Sequence, residues 1–124
     1  MTIVLNHTIV PAKDKQASAR FFADTFGLHY DTAGDHGHFA PVRVNDTLTL
    51  LFDNAETVNS QHYAFHVSDA EFDAIFARVK SAGLTYGSAP WSITDRQLNN
   101  WGGGRGVYFK DLDGHVLELM TVPQ

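Results

Sequence analysis

Two histidines and a glutamate, His7, His62 and Glu118, have the side-chain types best suited to chemistry in this 124-residue chain. Two neutral imidazoles and one carboxylate are a common donor set for a divalent ion. Catalytic zinc sites use such triples and keep a fourth position open. Non-haem Fe(II) sites place two histidines and a carboxylate on one face and leave positions for substrate or oxygen. The donor types do not choose among Zn, Fe, Mn, Ni and Co. Glu118 lies between Leu117 and Leu119 in a run that alternates like a strand, where glutamate is disfavoured. A carboxylate buried there requires a partner. The plainer alternative is three unrelated polar groups on a sheet.

His62 sits in Gln61-His62-Tyr63-Ala64-Phe65-His66-Val67, whose period of two marks a strand. Tyr63, Phe65 and Val67 form its apolar face; His62, Ala64 and His66 form the other, a pocket wall or a solvated surface. His66 lies four residues beyond His62, roughly 13 Å along an extended strand. It is therefore expected to line a pocket or touch substrate rather than share an ion with His62. His115 precedes Glu118 by three and points to the opposite face. Tyr108 alternates away from Val107 and Phe109, which suits a pocket-facing hydroxyl with an acid/base role or a core tyrosine.

The elements that must carry these residues occur twice. Asn6-His7-Thr8-Ile9-Val10, Asp14, a helical stripe and Gly27-Leu28 are echoed by Gln61-His62-Tyr63-Ala64-Phe65, Asp69, a helical stripe and Gly83-Leu84. The offset is 55 at His7 and His62, and 56 at Gly27 and Gly83. Two repeats are too few for a solenoid and indicate a duplicated module. The first module spans about residues 1–53, a polar linker 54–60, and the second module 61–124, within a single domain.

In the first module, Thr2 to Val10 reads as a strand that Pro11 ends. Asp14 is a helix N-cap, Ala17, Phe21, Phe22 and Phe26 form the buried stripe, and Gly27 stops the helix. Leu28 to Tyr30 is a short strand and Asp31 to Gly37 a loop, with His36 and His38 in or beside it. Phe39 to Val44 and Thr47 to Phe52 are strands around an Asn45-Asp46 turn. In the second module, Ser68 and Glu71 form a capping box, and Phe72, Ile75, Phe76 and Val79 make one apolar stripe. Ser88 to Gly104 is a long loop holding Trp91, Trp101, Arg96 and three consecutive glycines. Long loops in small domains are usually functional or disordered; the two tryptophans argue against disorder, and the loop reads as a mobile flap over a pocket or a plain surface loop. Gly106 to Lys110 and His115 to Val122 are strands joined by Asp111-Leu112-Asp113-Gly114.

A hydrophobic content of 44% supports a core, and a formal charge of −5 argues against a nucleic-acid partner. The absence of cysteine excludes disulfides and thiolate chemistry. No signal pattern or spanning apolar run is present, so a cytoplasmic protein without a membrane partner is expected.

Three stretches resemble the vicinal oxygen chelate superfamily, which includes glyoxalase I, bleomycin-resistance proteins, extradiol dioxygenases and fosfomycin-resistance enzymes. They are Leu5-Asn6-His7, His62-Tyr63-Ala64-Phe65, and the run from Val107 to Leu119, with Leu112 where the family form has proline. The resemblance implies an α+β fold of two βαβββ modules whose mixed sheets curl around a funnel, with helices outside. It places metal ligands at His7, His62 and Glu118, and implies a small-molecule substrate chelated through adjacent oxygens. It also implies a homodimer. The reaction could be of the lyase, isomerase, dioxygenase or transferase type. Aligning the two hairpins puts Leu50 opposite Glu118, so the fourth ligand of glyoxalase I has no counterpart there, although Glu56 lies nearby in sequence. Tyr108 and His66 are the candidate catalytic residues, and Trp91, Trp101, Arg96 and Arg105 the candidate substrate pocket. The alternative is a non-catalytic protein that holds an aromatic or antibiotic ligand between the tryptophans.

Overall fold

The computed structural model describes residues 2–30 and 37–124. The chain divides into two units, Met1–Asn59 and Ser60–Gln124. The first contains β1 (His7–Ala12), α1 (Lys15–Phe26), β2 (Ala40–Arg43) and β3 (Thr49–Asn54). The second contains β4 (His62–His66), α2 (Asp69–Ser81), β5 (Tyr86–Gly87), β6 (Gly106–Lys110) and β7 (Val116–Met120).

Each unit has one mixed sheet of the same plan. The first is ordered β1-β3-β2, with β1 parallel and β2 antiparallel to β3. A bridge from Tyr30 to Val42 stands where a fourth strand would pair. The second is ordered β4-β7-β6-β5, again with one parallel pair. This is the two-module α+β fold that the repeat implied.

The helices begin and end as their sequences dictate. Asp14 accepts hydrogen bonds from the Gln16 and Ala17 amides, and Gly27, at φ 71°, caps α1 in the left-handed region that glycine enters at no steric cost. Ser68 and Glu71 form the reciprocal capping box of α2. Ala82 is the C-cap of α2 and Gly83 follows it at φ 70°.

The period of two decides what each sheet buries. In the first unit Val10, Ala40, Val42, Leu50 and Phe52 share the buried face, and the Phe22 ring of α1 lies 6.1 Å from that of Phe52. In the second unit Val107, Phe109, Leu117 and Leu119 are buried, as are Phe72, Ile75 and Val79 of α2.

Pro11 does not end β1, which runs on to Ala12. The carbonyls of Asn6 and Ala12 accept from β3 and the residue after it, so even-numbered backbone groups face β3 and those of Pro11 face away. Proline lacks a donor only where β3 would not have used it. The carboxyl of Asp111 closes the β6–β7 turn by accepting from the Asp113 and His115 amides. Burial raises its pKa above the usual carboxylate range. His36 lies outside the described residues.

Candidate functional site

The second sheet presents its chemistry on the face opposite the buried aliphatic residues. In the parallel β4–β7 ladder Ala64 pairs with Glu118, and in the antiparallel β6–β7 ladder Tyr108 pairs with Glu118. Pairs directly opposite share a face. His62 lies two residues from Ala64 and therefore joins them. The sheet alone thus sets His62, Glu118 and Tyr108 side by side.

Glu118 is 4% exposed. A carboxylate so placed requires compensation, and it has two partners. His62 Nε2–H donates to its Oε1 at 2.9 Å, and the Tyr108 hydroxyl is hydrogen-bonded to it. Desolvation, then the hydrogen bond to Glu118 and its charge, push the Tyr108 pKa well above that of an ordinary phenol. Tyr108 is thus held neutral and acts as a hydrogen-bond donor at any physiological pH.

These atoms fit a divalent ion as the outer half of its ligand set. Two donors at about 2.1 Å from one ion stand about 3 Å apart when they meet at a right angle, as in octahedral sites. That matches the 2.9 Å between His62 Nε2 and Glu118 Oε1. The His62 side chain is 46% exposed and accessible, while Glu118 is braced from the opposite side by Tyr108. Among the described residues, neither unit by itself gathers three histidine or carboxylate groups into a metal cluster. His7 belongs to the first unit, where its Nδ1 is 2.7 Å from Asn6 Oδ1 and its Nε2 is left for another partner.

Aromatic rings extend from the same face. The His62 and Tyr108 ring centroids are 5.7 Å apart, Trp101 meets Tyr108 edge-on at 6.0 Å, and Trp91 lies 6.1 Å from Trp101. Trp91 is 79% exposed. The structure therefore brings His62, Glu118, Tyr108, Trp101 and Trp91 into one continuous row.

The other expected site residues fall elsewhere. His66 is exposed, with Nε2–H donating to the Thr121 carbonyl at 3.3 Å. Arg105 bonds Asp73 at 2.7 Å and Asp69 at 3.0 Å, with its guanidinium over the Phe72 ring. It fastens the start of β6 to α2 instead of facing the row. Arg96 lines a separate cavity of about 290 Å³ with Lys80, Gly83, Leu84, Thr85, Tyr86 and Thr94. Glu56 is exposed and its main-chain carbonyl accepts from Lys13. His115 is fully buried on the other face, where its Nδ1 accepts from the Gln61 amide.

One alignment is corrected. His7 pairs with Thr49, and His62 with Val116. Matching the two histidines makes Leu51, not Leu50, the counterpart of Glu118. The strand pairing sets the register: both turns hold five residues, so Asp46 matches Asp113, and pairing Asn45-Asp46 with Asp113-Gly114 slips the alignment by one. Leu51 cannot ligate an ion either. By the same register Pro41 stands where the second unit has Tyr108. Asn99, which holds the tryptophan loop in place, was not singled out from sequence; its position two residues before Trp101 in an Asn-rich stretch was the available signal.

The fold and this face define a two-module α+β protein with an imidazole–carboxylate pair on the open side of its second sheet. Residues 4–119 match the family model described as the Glyoxalase/Bleomycin resistance protein/Dioxygenase superfamily, and the chain belongs to that superfamily. The solved structure of oxidase ChaP-H2 is 46% identical, with a TM-score of 0.92 over 99% of this chain and 96% of that one. Oxidase ChaP-H1 is 45% identical, with a TM-score of 0.90 over 98% of each chain. The glutathione transferase FosA of Serratia marcescens is 30% identical over 122 residues, covering 93% of this chain and 78% of that protein. These relatives are enzymes by name, in agreement with the expectation of an enzyme. No helix among the described residues is long and apolar enough to cross a membrane.

Proposed function

We propose that the protein is a metal-dependent enzyme that oxidises a planar small molecule, bound through two adjacent oxygens, with dioxygen as the electron acceptor. The observation that carries this reading is the pairing of His62 with a buried Glu118 at 2.9 Å, braced by Tyr108. His62 and Glu118 hold a divalent ion, and His7, at the equivalent register of the first module, supplies the third donor. When bound, the ion polarises the substrate oxygens as a Lewis acid.

The chain's own residues do the rest. Tyr108 donates to Glu118 and fixes the carboxylate's orientation, as outer partners of metal ligands do. Trp101 and Trp91 offer ring faces to a planar substrate and exclude water from it. Arg105 is committed to Asp69 and Asp73, so it is not offered to an acidic substrate. That favours the oxidase relatives over fosfomycin chemistry as the guide to the reaction, as does their higher identity. A homodimer remains part of the proposal by family likeness.

The test is binding and turnover of 1,2-dihydroxyanthraquinone, catechol, methylglyoxal–thiol adducts and fosfomycin by protein loaded with Fe(II), Mn(II), Co(II), Ni(II) or Zn(II). The expected result is tight binding of the tricyclic diol, oxygen consumption with one of these ions, and loss of both in His62→Ala. Tight, metal-independent ligand binding with tryptophan quenching and no turnover would instead make this a binding protein.

A further inference from the structure

We propose that Asn99 is a positioning residue: it fixes the Trp101 indole against Tyr108 and so determines how extended a planar ligand the site accepts. The proposal rests on the aromatic row being the substrate wall.

Asn99 is tied at four points. Its Oδ1 accepts from the Trp101 amide at 3.2 Å, and its Nδ2 donates to the Ser88 carbonyl at 2.8 Å. Its backbone exchanges two hydrogen bonds with Gly106, each 3.0 Å. Asn99 thus joins Ser88 and Trp101 through its side chain, and the first residue of β6 through its backbone. The Trp101 turn also closes on itself through the Gly103 and Gly104 amides and packs against Thr121 and Val122. It is a single 3-10 turn in which Gly102 and Gly103 both have positive φ, at 68° and 83°. Glycines leave such a turn many conformations, so the direction of the indole must be set from outside.

Gly106 shows that this placement is built into the strand. A Cβ at residue 106 would lie 2.5 Å from Asn99 Oδ1, 2.8 Å from Nδ2 and 2.9 Å from Cγ. The carboxamide lies flat on the space that any other residue would fill. Gly106 φ is not in the left-handed region, so its glycine character is explained by the neighbour it admits. Gly106 also pairs with Met120, two residues beyond Glu118, so Asn99 links the indole to the strand that carries the carboxylate. The result is an aromatic wall of fixed distance from the imidazole–carboxylate pair.

The experiment compares wild type with Asn99→Ala, Asn99→Ser, Gly106→Ala and Trp101→Ala. It records near-ultraviolet circular dichroism, metal content, and the affinities of metal-loaded protein for 1,2-dihydroxyanthraquinone and for catechol. Asn99→Ala and Gly106→Ala should reduce the dichroism to the Trp101→Ala level and weaken the tricycle about tenfold. Catechol affinity and metal content should stay unchanged. Asn99→Ser, which keeps a weaker acceptor for the Trp101 amide, should recover part of both. A residue that only stabilised the fold would change both affinities together and leave their ratio alone. An unchanged ratio and unchanged dichroism in Asn99→Ala would overturn the proposal, and so would equal loss of both ligands. If wild type binds neither probe, the enzymatic reading falls, and the dichroism of the variants alone decides the role of Asn99.

Discussion

The two units share one plan and differ in what they place on it. Each starts with a histidine on its first strand, and each lays that strand parallel to its last. The second unit then adds Glu118 and Tyr108 on the histidine's face, where the first has Leu51 and Pro41. The second also carries the tryptophan loop between β5 and β6. A duplicated scaffold fixes where a side chain stands, and the residue type at a few positions decides whether that place does chemistry. One imidazole was kept in both copies; the carboxylate and its brace belong to one.

Substitution of matched positions in the two units breaks the comparison most directly. Glu118→Gln should lower metal affinity by at least about 100-fold and abolish turnover. Its counterpart Leu51→Gln should leave metal affinity unchanged. Metal titration of both variants checks the contrast, and equal loss in the two would remove the asymmetry argued above. Tyr108→Phe should cost about 10-fold in activity or metal affinity, the range for a group that orients a ligand from behind. Pro41→Ala should cost neither, as steady-state kinetics would show.

The helix caps sharpen the comparison at the low end. Asp14→Ala and Ser68→Ala should each destabilise by about 1 kcal/mol, measured by urea unfolding. Only the second unit has a reciprocal box. Its hydrogen bonds with the Ser68 amide and hydroxyl lower the Glu71 pKa below the ordinary glutamate value. A depressed carboxylate contributes stability that is present above the unfolded pKa and lost as pH falls through the folded one. Glu71→Gln should therefore lower stability at neutral pH and flatten the acid limb of the stability curve, with little change once the pH is below the folded glutamate pKa. An acid limb identical to wild type would show that the box carries no charge-dependent stability.

What could be read from the sequence was what is local or periodic. The caps at Asp14 and Ser68 and the turns at Asn45 and Asp111 declare themselves within four residues. The alternation around Tyr108 and Glu118 places both on one face once the strands are antiparallel neighbours. The partners of Arg105 could not be read: Asp69 and Asp73 reach it across more than thirty residues, through packing that no local period encodes. The shift from Leu50 to Leu51 arose because Asn45-Asp46 and Asp113-Gly114 are similar turn signals one position out of register, which only the strand pairing reveals. Pro11 misled because its missing donor matters only on the side of β1 that faces β3.

The donor set itself is the claim on which the enzymatic account stands. Metal content of purified wild type, His7→Ala, His62→Ala and Glu118→Ala, measured after equilibration with a slight excess of Mn(II) and gel filtration, tests it most directly. The account predicts about one ion per chain in wild type and near none in each of the three variants. Full metal content in His7→Ala, or an ion-free wild type, would contradict it.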